Sequence, residues 1–504
     1  MILLLRWFVV GATMALAACD SADELTLARR ALQQRTSELA AEFTPCPRTS
    51  TSSMPALRAD SRCLLFTVAE NPAVPEGRQL DLQVMVVPAV RPLPEPDPFV
   101  ILVGGPGQSA TLDGLAVVPM FQRIRESRDI LLVDQRGTGP LSPFDCDLPD
   151  EEAAWGAGIE MQLQLQQDYL RDCLASVDAD PRFYTTDLAV GDLDAIRQYL
   201  GYNRLNLWGV SYGTRVALAY LKYHEAQTRT VVIDGVAPAG ILPLEAARDG
   251  ERALLHVQDL CRAEVACNAQ FPQLRAHYDE LLLRHAVEQI ITVHDSVSGA
   301  DKPLAFSAAT LQSMLFGLLY SRETARLVPW MIERFYAGDF SVLAGLGNQA
   351  ESINLPMHMS VICSEDVPLI DAAELEQAGG SFLYEGLVRP RIEGCTLWPS
   401  RPLPADYFAP VVSARPVLLF SASQDPVTPK RWAEQVAATL TNSVQVEATG
   451  VGHGVFNYGC ARELVADVVE QGSVDTLDTF CLKELATRPF FVNANGSVAD
   501  DQGR

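Results

Sequence analysis

Ser211 stands in Gly209-Val210-Ser211-Tyr212-Gly213, where an apolar run, LNLWGV, enters and a helix-like pattern leaves. A strand passing directly into a helix bends sharply, and glycines two residues to either side keep side chains clear of the apex. The apex hydroxyl is then exposed at the carboxyl end of a sheet, above a helix N-terminus. The plainer reading is a strand-to-helix turn that happens to hold a serine. The apolar run before it and the helical pattern after it favour a nucleophile.

A serine at neutral pH needs a base to take its proton, and the base needs an acid to fix its tautomer. After such a serine the expected chain order is acid, then histidine. His453, in Thr449-Gly450-Val451-Gly452-His453-Gly454, is the one histidine in the C-terminal region, and its glycines suit a loop that brings an imidazole over Ser211. Asp425 ends the apolar run PVLLFSASQD and precedes Pro426, a position at a strand end that suits the acid. Turn aspartates and loop histidines are common, but here order and spacing agree. The tetrahedral intermediate of acyl transfer also needs donors for its oxyanion. One is the backbone N–H of Tyr212, the residue after the nucleophile. The other is expected from Gly104-Gly105-Pro106-Gly107, with Gly105 as donor, since glycine lets backbone approach a substrate closely.

These groups can meet only if several strands present them on one edge. PFVILVGGPG, RDILLVDQRG, LNLWGVSYG, TVVIDGVAP, PVLLFSASQD and SVQVEATGVGHG are short apolar runs ending in Gly or Asp, as buried parallel strands do. Before them, Cys63–Glu70 and Arg78–Val90 read as an antiparallel hairpin. Helical segments alternate with the strands, which predicts an α/β fold with a mostly parallel sheet and ligands at its carboxyl edge. Between residues 239 and 410 the strand rhythm stops, and the stretch reads as a mainly helical cap inserted over that edge. The core then divides into residues 46–238 and 411–490, with a tail at 491–504.

The chain has 504 residues, 48% of them apolar, and a formal charge of −24, which fits a globular protein and disfavours a nucleic-acid partner. Arg6, an apolar run over Trp7–Ala18 and Leu16-Ala17-Ala18-Cys19 read as a bacterial lipoprotein signal over residues 1–18. Cys19 would then be lipidated and hold the protein on a membrane facing the periplasm, with residues 19–45 as a tether or a packed amphipathic helix. Ten of the 11 cysteines remain, an even count that favours disulfides in an exported chain, and sequential pairing is the simplest arrangement. The 7 histidines do not cluster at zinc-like spacing, so neither a metal site nor any other cofactor is implied.

GGPG, Asp134-Gln135-Arg136-Gly137-Thr138-Gly139 and GVSYG together resemble the prolyl-iminopeptidase and tripeptidyl-aminopeptidase group of α/β-hydrolases, in an exported lipoprotein form. The stretch holding Asp425 and His453 resembles the TAP-like C-terminal domain, and VICSEDVP and Cys395-Thr396-Leu397-Trp398 fit exported members. Val103 departs from the histidine often found before GGPG in prolyl iminopeptidases. The resemblance implies a serine hydrolase that removes N-terminal residues from short peptides. A carboxylesterase or lactonase with the same triad is the alternative, and a non-catalytic binding lipoprotein the remote one. DQRGTG is expected to brace the oxyanion loop through Asp134 and Arg136. An aminopeptidase must also hold its substrate's ammonium; Glu365 first and Asp366 second are the expected carboxylates, against the plainer reading of a solvated acidic turn. The oligomeric state stays open.

Overall fold

The computed structural model describes residues 24–46, 54–146, 156–294, 299–345, 353–485 and 488–497. Cys19 and the signal segment lie outside them.

Among the described residues nine strands form one sheet: β1 (Thr44–Pro45), β2 (Arg62–Ala69), β3 (Gln79–Val87), β4 (Phe99–Leu102), β5 (Ile130–Val133), β6 (Leu205–Val210), β7 (Thr228–Asp234), β10 (Val417–Ala422) and β11 (Ser443–Ala448). Their order is β1-β2-β3-β5-β4-β6-β7-β10-β11. β1, β2 and β3 pair antiparallel, β3 meets β5 antiparallel, and every later pairing is parallel. This is an α/β-hydrolase fold. The central strands are largely apolar because both faces are covered: Leu207, Val231 and Leu419 pack on one side, Trp208, Val232 and Leu418 on the other. Such alternation across a double-sided core fixes register, since a one-residue slip would exchange the two faces.

The sheet order explains where the site lies. From β4 the chain moves to one side to form β5, then returns to the other side of β4 as β6. Loops leaving β4 and β6 therefore diverge and open a crevice at the carboxyl edge. Leu102 pairs with Gly209, Val210 with Asp234, and Ala422 with Ala448, so the loops holding Gly105, Ser211, Asp425 and His453 all emerge on that edge.

Between β7 and β10 lies a body with its own apolar cluster, which includes Leu254, Leu315, Ile332 and Phe335. It is mostly helical, with the helices Pro243–Ala263, Ala308–Leu319, Val328–Tyr336, Leu355–Glu365 and Arg389–Leu397. It also contains a hairpin that the sequence reading passed over, β8 (Gln289–His294) against β9 (Asp301–Phe306). Five disulfides join Cys46–Cys63, Cys146–Cys173, Cys261–Cys267, Cys363–Cys395 and Cys460–Cys481, the sequential pairing.

The first and last described segments pack against the body of the protein. Residues 24–38 are helical, and Leu32 and Leu39 are each 2% exposed within the core. Arg29 pairs with Glu95, and Arg35 Nε donates to the Tyr199 carbonyl at 2.8 Å. Near the other end, Phe490 and Val492 are buried; Phe490 joins the cap cluster and lies 4.6 Å under the Arg326 guanidinium. Among the described residues no helix is long and apolar enough to cross a membrane.

Candidate active site

Ser211 has φ 56° and ψ −124°, a conformation L-residues rarely adopt. The neighbours hold it there. Its N–H donates to the Asp234 carbonyl at 2.9 Å, and its carbonyl accepts from the amide and hydroxyl of Thr214 at 2.9 and 2.6 Å. The flanking glycines have a plain steric cause. A Cβ on Gly209 would lie 2.3 Å from the Gly213 carbonyl oxygen, and one on Gly213 would lie 2.1 Å from that of Leu102. Tyr212 opens the helix Tyr212–Tyr223, so its N–H has no carbonyl a turn back to bond.

Asp425 and His453 are in contact. Nδ1 of His453 lies 2.9 Å from Oδ2 of Asp425, whose side chain is fully buried. The carboxylate also accepts from the amides of Val427 and Thr428, both at 2.8 Å, and from the Thr428 hydroxyl at 2.9 Å. Burial pushes this carboxyl up, but the facing imidazole and the donors outweigh it and hold it below the ordinary aspartate range. A carboxylate on Nδ1 keeps the proton there and leaves Nε2 as the basic nitrogen. Thr428 was not foreseen: its hydroxyl lies 2.9 Å from Asp425 and 3.1 Å from His453 Nδ1, so it touches both members of the pair.

Ser211, Tyr212, Gly105 and His453 line one chamber of about 520 Å³, closed on its other side by cap residues including Phe316, Tyr320, His358, Asp366 and Arg391. On the oxyanion loop, the Gly104 amide is taken by Gln108 Oε1 at 2.9 Å, which leaves Gly105 as the expected donor. Glycine is required along this loop. A Cβ on Gly104 would come within 3.2 Å of the Ser211 Cβ, and one on Gly107 within 2.7 Å of the Asn354 carbonyl oxygen. The Asn354 amide donates to the Gly107 carbonyl at 3.0 Å, tying the loop to the start of the helix Leu355–Glu365.

Asp134 braces the end of this loop as expected, and Arg136 does not. Asp134 accepts from the Ser109 hydroxyl (2.7 Å) and from the amide (2.9 Å) and hydroxyl (2.6 Å) of Thr111. Arg136 is fully buried elsewhere, forked onto Asp192 at 2.7 and 2.8 Å and donating to the carbonyls of Glu70 and Phe183.

Glu365 does not reach the chamber. It is fully buried and accepts from the amide and hydroxyl of Thr186 (2.8 and 3.0 Å), from Arg215 (3.2 Å) and from the Tyr407 hydroxyl. Its four hydrogen bonds are all made to the protein, and it is not part of the chamber lining. Asp366 does lie on the chamber wall, with both oxygens 3.1 Å from Arg215 nitrogens; its Oδ1 is close to Nη2 but lacks an aligned hydrogen bond.

A second histidine lines the chamber in a different environment. His358 Nδ1 lies 3.3 Å from the Pro106 carbonyl, and burial together with the nearby Arg391 pushes its pKa down to about 3. His453, with Asp425 on its Nδ1, is the histidine placed to act as a base.

Residues 384–481, which contain Asp425 and His453 but not Ser211, match the family described as TAP-like protein. The chain is similar to Serine protease Hip1 of Mycobacterium tuberculosis, 27% identical over 191 residues, or 34% of this chain and 36% of that protein. It is 28% identical to a Tripeptidyl aminopeptidase of Streptomyces lividans over 188 residues, 35% of each chain. The chain thus spans about a third of the length of these two peptidases. A longer match joins it to the Escherichia coli protein YuaR: 25% identity over 399 residues, 73% of this chain and 76% of that one. Residues 384–481 are thereby similar to the TAP-like family, on an α/β-hydrolase fold.

Proposed function

We propose that the protein is a serine peptidase that releases N-terminal residues from short peptides through an acyl-enzyme. The observation that carries this reading is the buried Asp425–His453 pair sharing one capped chamber with Ser211 at its strained turn. Ser211 Oγ attacks the scissile carbonyl while His453 Nε2 takes its proton. The amides of Gly105 and Tyr212 donate to the oxyanion. As the C–N bond breaks, His453 returns the proton to the leaving amine, and Ser211 is left as an ester. Water, deprotonated by His453, then attacks that ester and frees the acid and Ser211. The named peptidases among the relatives support peptide rather than ester substrates.

The cap supports small substrates, because its residues wall the chamber across from Ser211 and His453. For the substrate's ammonium we assign Asp366 rather than Glu365, since only Asp366 is on the wall and one of its oxygens lacks an aligned donor. Lipidation of Cys19 would place this chemistry at a membrane surface facing the periplasm.

A panel of amino-acid and tripeptide arylamides run beside short-chain esters tests the proposal. Arylamide turnover that is lost in Ser211→Ala and weakened by N-acetylation of the substrate supports it. Turnover of esters alone would assign the triad to an esterase.

A further inference from the structure

Among the described residues Arg391 is the chamber cation with no carboxylate in contact, although Asp366 is near enough to act on its charge. It lies on the helix Arg389–Leu397, and the disulfide Cys363–Cys395 staples that helix to Leu355–Glu365, which carries His358. The guanidinium is partly buried, and its Nη1 donates to the Leu387 carbonyl at 2.8 Å. Among the described residues no carboxylate comes within 4 Å of it. Its neighbours differ. Arg389, two residues earlier, is tied to Glu160, Glu385 and Glu393, and Arg215 across the chamber holds both Glu365 and Asp366.

Arg391 also stands at a junction. With His358 it lines both the catalytic chamber and a second cavity of about 260 Å³, whose wall includes Gln162, Gln166 and Glu385. Glu385 is committed to Arg389, so Arg391 is the cation facing this junction that is not held by a contacting acid. A guanidinium carries five N–H donors, and one carbonyl satisfies only one of them. The shape and charge of the remaining fork match a carboxylate, which can accept two parallel hydrogen bonds.

We propose that Arg391 binds a carboxylate of the substrate and thereby selects short or acidic peptides. This rests on the peptidase reading of the same chamber. Two sources offer that chemistry: the free C-terminus of a peptide short enough to fit inside, and the side chain of an Asp or Glu residue. Either would place the anion beside Arg391, with the scissile carbonyl at Ser211.

The experiment measures kcat/KM on matched pairs for the wild type, Arg391→Gln and Arg391→Lys. One pair is a short peptide as free acid and as C-terminal amide. A second replaces Glu by Gln within an amidated peptide. A third sets an aryl hemisuccinate against the aryl butyrate, which reads the same anion without a peptide bond. The wild type should prefer the anionic member of at least one pair by roughly tenfold or more, mainly through KM. Arg391→Gln should erase that preference and Arg391→Lys should retain part of it, while a fluorophosphonate adduct on Ser211 reports that each variant is folded. The preferred pair identifies the source. Equal use of both members by the wild type, or a preference that survives in Arg391→Gln, overturns the proposal. An Arg391-dependent preference seen only with the esters would uphold it and refute the peptidase reading. Peptide cleavage without any preference would do the reverse.

Discussion

The backbone N–H of His453 donates to the carbonyl of Tyr320 at 2.8 Å, so the loop of the proposed base hangs from the end of a cap helix. The Tyr320 ring stands edge-on to the imidazole, 5.5 Å between centroids. Nearby, the Tyr458 hydroxyl donates to Glu323 at 3.0 Å, and Arg322 lies over the Tyr458 ring. On this side the cap is therefore part of the scaffold that holds His453. A lid motion that moved Tyr320 would move His453 with it.

Gly452→Ala tests that coupling. A Cβ there would lie 2.5 Å from the Tyr320 carbonyl oxygen and 2.7 Å from that of Leu319, both backbone atoms that cannot rotate away. The loop must shift, and kcat should fall roughly a hundredfold on every substrate class, as an ångström-scale misplacement of a reacting group does. The fold should survive, read by thermal unfolding. A variant with wild-type kcat would show that the base does not depend on this contact.

Thr428→Val removes the hydroxyl that touches both Asp425 and His453 while keeping the volume. The imidazole loses one of the groups that orient it, and kcat should drop about tenfold with KM little changed. Steady-state kinetics on any turned-over substrate decides this. An unchanged kcat would reduce Thr428 to a turn residue.

That Ser211, Asp425 and His453 meet at one edge of the sheet was legible in the sequence because the signals are local. Glycines at fixed offsets, a strand ending in aspartate and a glycine-flanked histidine each reflect a backbone demand that leaves a mark in the chain. The central strands were legible for the same reason, being largely apolar runs broken by single polar residues such as Asn206 and Ser421. Glu365 was misplaced because side-by-side acids look equivalent on paper. In the structure Glu365 ends a helix and Asp366 caps it, and successive helical residues point to different sides. One faces the core, the other the chamber. Tyr320, His358 and Arg391 left no local mark at all. Their roles come from how the cap folds back on the sheet, which spacing within the chain does not encode. The β8–β9 hairpin escaped because most of β8 is exposed and shows little apolar alternation.

The two acids accordingly predict different outcomes on substitution. Glu365→Gln breaks a buried, fully hydrogen-bonded charge next to Arg215 and should cost on the order of 3 kcal/mol in stability. Its ratio of activity on free and N-acetylated peptides should not change. Asp366→Asn should lower that ratio. Chemical denaturation and the two-substrate ratio separate these effects, and the opposite pattern would return Glu365 to the site.

Asp234 makes the stability pH-dependent in a recognisable direction. It is fully buried at the end of β7 and accepts from the amides of Val455 at 2.9 Å and Phe456 at 2.7 Å, just beyond His453. Burial raises its pKa to about 6, although those donors oppose the rise. A carboxyl whose folded pKa lies above its unfolded value holds its proton more tightly when folded. Its contribution is present below about pH 4 and is lost as pH rises through about 6, a change of roughly 3 kcal/mol. Asp425, held below its ordinary range, has the opposite sign and loses its contribution as pH falls below about 4. The difference in unfolding free energy between wild type and Asp234→Asn, followed from pH 4 to 7, should therefore change steadily up to about pH 6 and then level off. A flat difference would place the Asp234 carboxyl in its ordinary range.

The most direct test of the whole account is covalent. Incubation of folded protein with a fluorophosphonate probe, followed by peptide mass spectrometry, should give one adduct, on Ser211. Labelling should be strongly slowed in His453→Ala and abolished in Ser211→Ala, because the serine is nucleophilic only when its base is in place. No adduct on Ser211 in folded wild-type protein, or labelling of Ser211 at the same rate without His453, would contradict the triad.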